Sequence, residues 1–164
     1  MAIILEEIYE VALHCYNMKL VAGGRGLRNL VDWVHTVEEM DYVSFLKGRE
    51  LIITTGIREK DEETLVRFVK SLHETGASGL VINIGKYITR VPRGVIAYSE
   101  EAGFPVFTLP WEVHLVDFNR DLCNLIYKTM QEQDGLETAL QKAIFSRKEE
   151  QQYMPVLHEN QIHK

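Results

Sequence analysis

Apolar positions along this chain follow two alternating rhythms, one of helical spacing and one of short continuous runs. Residues 3–13 repeat apolar side chains at helical spacing and predict a helix with Ile4, Ile8, Val11 and Cys15 on one face. A short apolar run at Leu20, Val21 and Ala22 ends in Gly23-Gly24-Arg25-Gly26, a cluster of breakers that predicts a turn. Trp33 to Val37 is β-branched and aromatic, as strands are, and a brief helical patch around Val43–Leu46 then leads to Gly48.

The central block is the most regular. Leu51-Ile52-Ile53-Thr54-Thr55 predicts a strand closed by Gly56. Asp61 predicts a helix cap, with Glu62 and Glu63 suited to the positive end of the helix dipole. Leu65, Phe68, Val69 and Leu72 then form one apolar face, and Gly76 is placed to end the helix. Residues 80–84 predict the next strand, closed by Gly85. Pro92 opens a further helix carrying Val95, Tyr98 and Ala102 on one side, with Gly103 as its stop. Residues 105–109 predict a last strand, bounded by Pro110.

Short apolar strands alternating with helices of this length predict βαβ units. The runs at 51–55 and 80–84 are apolar at most positions, as in strands buried on both faces. The expected fold is α/β, with a mostly parallel sheet of about five strands flanked by helices and a C-terminal helical extension. Beyond Trp111, Leu115, Phe118, Leu122 and Leu125 keep a narrow helical seam, and Asp134-Gly135 is expected to interrupt it. A second helical stretch carries Leu136, Leu140, Ala143 and Ile144, and the polar tail from Ser146 is expected to fray. The expected division is a sensory α/β domain over 1–130 and a helical extension with a polar tail over 131–164.

Composition narrows the function classes. The chain has 164 residues and a net charge of −6, which disfavours a basic nucleic-acid-binding module, because DNA affinity rests mainly on neutralised phosphates. No apolar run approaches the roughly 18 residues a membrane span needs, and no secretory pattern follows Met1. The two cysteines, Cys15 and Cys123, fit a reduced cytosol, where they are expected to act as buried apolar fillers. A soluble, cytoplasmic protein is expected.

Chemistry-bearing motifs are sparse. Gly23–Gly26 lacks both the spacing and the Lys-Ser/Thr ending of a phosphate loop, so a turn is expected. His35 with Glu38, and His114 with Asp117, are His–carboxylate pairs without the further convergent ligands a metal site needs. Glu38-Glu39 and Glu100-Glu101 are expected on solvated faces, and no nucleophile–base arrangement is visible, so neither a cofactor nor catalysis is expected. Three strand ends stand out instead. Ligands in parallel sheets bind outside the carboxyl ends of the strands. That rule nominates Thr54, Thr55, Gly56, Gly85, Lys86, Tyr87, Trp111 and Glu112 as a ligand-binding rim.

Three phrases in this order, residues 48–56 (GRELIITTG), 79–87 (GLVINIGKY) and 103–111 (GFPVFTLPW), together resemble the N-terminal domain of PucR-type transcriptional regulators, the purine catabolism regulator family. Val21–Gly24, Gly26-Leu27 and Val31 through Glu38 fit the same pattern, and the likeness covers roughly residues 15–130. The resemblance implies a non-enzymatic, effector-sensing domain of a bacterial transcription factor. The expected effector is a small nitrogenous catabolite of purine-degradation type. The expected partners are that effector and a second copy of the chain in a homodimer. DNA contact is expected only through a separate helix-turn-helix domain absent from this chain. Two other readings remain open: a small-molecule enzyme using the same rim, and a pure dimerisation module.

Overall fold

A computed structural model describes residues 2–58 and 61–162, with side chains to residue 146. In chain order the elements are strand β1 (Ile3–Ile4), helix α1 (Leu5–Tyr16), β2 (Lys19–Ala22), β3 (Leu30–Val31), β4 (Trp33–Thr36), β5 (Glu50–Thr54), α2 (Glu62–Thr75), β6 (Gly79–Ile84), α3 (Arg93–Ala102), β7 (Val106–Pro110) and α4 (Leu115–Ile162). Short 3-10 turns fill Gly24–Arg28 and Met40–Phe45.

Five strands form one sheet in the order β2-β7-β6-β5-β4, and β1 and β3 form a small antiparallel pair. The four strands β4 to β7 are parallel, and β2 joins β7 antiparallel. The fold is therefore the expected α/β type with a mostly parallel sheet. Both faces of the sheet are covered, which is why its strands are apolar at nearly every position. One face carries Ile52, Leu80, Ile82 and Val106 against Leu65, Phe68, Val69 and Leu72 of α2 and Val95 of α3. The other carries Leu51, Ile53, Val81 and Phe107, all fully buried. Tyr9 of α1 meets Phe107 on that side at a ring-centroid distance of 5.1 Å.

Local chemistry sets the helix ends. The Asp61 side chain accepts from the Thr64 N–H, and Gly76 (φ 93°) and Gly103 (φ 69°) end α2 and α3 in left-handed geometry. The predicted glycine turn is a packed turn. A Cβ on Gly23 would lie 2.0 Å from the Phe104 carbonyl oxygen, so only glycine lets these backbones approach. Its backbone N–H donates to Glu100 Oε1 at 2.8 Å, and Arg25 donates to the Glu100 and Glu101 carbonyls at the end of α3.

Four expectations need correction. α1 begins at Leu5 and buries Leu5, Ile8 and Ala12 rather than the Ile4, Val11 and Cys15 face. The two faces adjoin on the helix, and the small Ala12 side chain suits the packed side. Cys15 is exposed and Cys123 half-buried, so neither is a buried filler, although partial burial pushes the Cys123 thiol above its ordinary pKa. In α4 the buried residues are Phe118, Leu122 and Ile126, while Leu125 is only partly buried. α4 also runs through Asp134-Gly135 and on to Ile162. One interior glycine costs a helix about 1 kcal/mol relative to alanine, and the flanking Glu, Gln, Lys, Leu and Ala residues are strong helix formers that offset it. The chain divides into two compact units, residues 1–127 and 128–164. Among the described residues, no helix is long and apolar enough to cross a membrane.

Candidate functional site at the carboxyl edge of the sheet

Because β4 to β7 are parallel and in close register (Thr36 beside Ile53, Thr54 beside Ile82, Ile84 beside Pro110), their four tips lie on one edge. Two of the tips form an aromatic cluster. Gly85 adopts φ 135°, and a Cβ there would lie 2.9 Å from Trp111 Cβ, so the glycine lets the indole close over the β6 tip. Tyr87 meets Trp111 edge to face, with centroids 5.9 Å apart at 81°. Lys86 Nζ sits 5.4 Å from the Tyr87 ring centroid and 6.0 Å from that of Trp111, within the range of cation–π attraction to both. Buried Asn83 fastens this corner, donating from Nδ2 to the carbonyls of Leu109 (3.2 Å) and Pro110 (3.0 Å).

The β5 tip has a different partner. Glu38, just beyond β4, takes one hydrogen bond from Thr54 Oγ1 (2.6 Å), one from Thr55 Oγ1 (2.6 Å), and a third from the Thr55 N–H (2.9 Å to Oε1). The two threonine hydroxyls are thus engaged within the protein. Gly56 links the halves of the edge, since a Cβ there would strike Ile88 Cδ1 at 2.3 Å. Glu112 is exposed in the turn after β7.

Of the eight nominated residues, then, Gly85, Lys86, Tyr87 and Trp111 form one cluster. Thr54 and Thr55 belong to the Glu38 network, Gly56 packs on Ile88, and Glu112 stands apart in its turn. Glu38, Asn83 and Ile88 were not nominated. Glu38 sits two residues past the end of β4, which is the signal that identifies it as a strand-tip residue once β4 is known to be parallel to β5.

Among the described residues, two cavities open near this edge. One, of about 320 Å³, is lined by His35, Thr36, Val37, Glu38, Glu39 and Tyr42. The other, of about 520 Å³, lies at the starts of α2 and α3. Among the described residues, no group of three His, Cys, Asp or Glu side chains is placed to hold a metal ion. His114 and Asp117 approach to 3.7 Å on the exposed first turn of α4, whereas Glu38 turns to the threonines.

Comparison with known proteins gives a consistent result. The chain is 29% identical over 134 residues to the purine catabolism regulatory protein of Bacillus subtilis (strain 168). That alignment takes in 80% of this chain and 24% of the relative, so the chain corresponds to about a quarter of that protein's length. No solved structure matches it. Residues 8–126, which run from within α1 through the buried turns of α4, match the purine catabolism regulatory protein-like (PucR) family, and it is to this family that the chain belongs.

Proposed function

We propose that this chain is the effector-sensing domain of a bacterial transcriptional regulator, and that the effector is a small nitrogenous catabolite of purine-degradation type. Family membership and the name of the Bacillus relative support the regulatory role. The observation that carries ligand sensing is the Lys86–Tyr87–Trp111 cluster at the carboxyl edge of a parallel sheet. Two aromatic faces and an ammonium offer a planar, nitrogen-rich molecule both stacking and charge. The remaining nominated residues, Thr54, Thr55, Gly56, Gly85 and Glu112, belong to the proposed rim. Sensing requires no turnover. A ligand that favours one arrangement of the edge over another shifts the population of states. The change is relayed by a dimer or by domain rearrangement to a separate DNA-binding domain.

A thermal-shift screen of purine catabolites and other nitrogen metabolites tests this reading. A true effector at about 100 times its dissociation constant stabilises the fold by roughly 2.7 kcal/mol. Trp111→Ala and Lys86→Ala should each weaken that response while leaving the unliganded protein folded. No stabilisation by any compound sinks the effector reading, and conversion of a bound compound to product favours an enzyme instead.

A further inference from the structure

The start of α3 breaks a rule that the start of α2 obeys. α2 opens with Asp61, Glu62 and Glu63, acids at the positive end of the helix dipole. α3 opens with Pro92 and Arg93; no side chain caps it, and its first turn holds no acid. An arginine there adds positive charge where the dipole already concentrates it. Arg90 lies just upstream, and residues 85–99 contain Lys86, Arg90 and Arg93 but no Asp or Glu, in a chain of net charge −6. Arg25, Arg49, Arg58, Arg67 and Arg120 each meet a carboxylate or a backbone carbonyl. Among the described residues, Arg28, Arg90 and Arg93 have no ion pair, and Arg90 and Arg93 stand exposed side by side at the start of α3.

Both arginines line the cavity of about 520 Å³, together with Val91, Pro92, Ile96 and Glu62. That volume suits a metabolite rather than a macromolecule. Among the described residues its acidic wall is Glu62, whose Oε2 accepts the Gly94 N–H at 2.7 Å. A carboxylate borrowed from α2 thus occupies a backbone donor of α3, beside two guanidinium groups.

We propose that this cavity binds a small oxyanion, the carboxylate or phosphate group of a metabolite. Arg90 and Arg93 pair with the anion, their planar donor forks matching its oxygens. The Gly94 N–H passes to the anion as Glu62 turns away, and Val91, Pro92 and Ile96 receive the carbon skeleton. Binding therefore exchanges an α2–α3 contact for a ligand contact, which gives the two helices two alternative arrangements. The inference goes beyond the effector reading, because it stands on α2 and α3 rather than on the aromatic cluster, and either can fail alone.

The test titrates the protein with malonate and with inorganic phosphate, against chloride at matched ionic strength, following the Gly94 amide by ¹⁵N NMR. A saturable Gly94 shift is expected, and the anion that saturates at lower concentration tells carboxylate from phosphate. The R90Q/R93Q double variant should bind at least tenfold more weakly. E62Q should bind several-fold more tightly, because the internal competitor has lost its charge. Should the double variant not fold, R90Q alone, outside α3, makes the same comparison. A Gly94 amide insensitive to both anions, or equal affinity in the arginine variants, overturns the site. Unchanged affinity in E62Q overturns the displacement of Glu62.

Discussion

The carboxylate of Glu38 shows how much of the sheet edge one side chain can hold. It takes hydrogen bonds from both hydroxyls and one N–H of two consecutive residues, and Thr54 is almost wholly buried. Hydrogen bonds to a charged acceptor are stronger than neutral ones, and a buried donor left without a partner keeps its full desolvation cost. Glu38→Ala should therefore lower stability by roughly 2–3 kcal/mol in urea unfolding, and Glu38→Gln by less, since its amide oxygen still accepts. Equal stability of Glu38→Ala and the parent chain would show that the network contributes nothing net. This residue was not legible in the sequence, where Glu38-Glu39 has the look of a solvated pair. Only the parallel register of β4 and β5 brings residue 38 beside residues 54 and 55.

Between elements, α1 and the first turns of α4 are joined by Tyr16. Its hydroxyl donates to Asp121, and its ring meets Phe118 edge to face at 5.3 Å. The hydrogen bond to Asp121, helped by burial and the nearby negative charge, pushes the Tyr16 pKa up from 10 to about 12. The same bond, aided by Arg120, holds the Asp121 carboxyl below its ordinary range. The signs follow by linkage. Tyr16 contributes stability that is full below pH 10 and is lost as pH rises towards about 12. Asp121 contributes stability that is present above the ordinary carboxylate range and is lost as pH falls through its lowered pKa. The stability gap between the parent chain and Tyr16→Phe should be widest near neutral pH and should close at both extremes. Denaturant midpoints across pH check this, and a gap independent of pH would contradict it. The apolar spacing of α4 made its seam visible, but not which α1 residue would meet Asp121, because that pairing spans 105 positions of chain.

At the scale of the molecule, α4 beyond Tyr127 belongs to the second compact unit, residues 128–164. There Leu136 is 65% exposed, Leu140 54% and Ile144 55%, one apolar stripe at helical spacing. A second copy of the chain is the proposed cover for this stripe, since two-fold dimers are the commonest symmetric assembly. Light scattering across a concentration series should give a dimer mass that Leu140→Asp shifts to monomer. The variant's unfolding transition for residues 1–127 should be unchanged. A monomer at every concentration removes the proposal, and an unfolded variant points to Leu140 packing within its own chain.

Several features of this protein follow from sequence alone, because their causes are local. Asp61 and Gly76 bound α2 through hydrogen bonding and left-handed geometry, and Leu65, Phe68, Val69 and Leu72 mark its buried face by spacing. Near-continuous apolar runs marked β5 and β6 as strands covered on both sides, and the order of GRELIITTG, GLVINIGKY and GFPVFTLPW pointed to the family. Whatever depends on residues distant in sequence was decided by tertiary structure. Spacing allows two adjacent faces for α1, and the packing buried Ala12 rather than Val11. A single glycine reads as a break, yet it is tolerated inside a helix whose neighbours propagate it, as in α4. The strand-end rule placed Gly85, Lys86, Tyr87 and Trp111 on one edge. Register and close packing then drew those four together and turned Thr54 and Thr55 towards Glu38, because a hydrogen bond or ring contact forms only where the chain's folding brings its partners within reach.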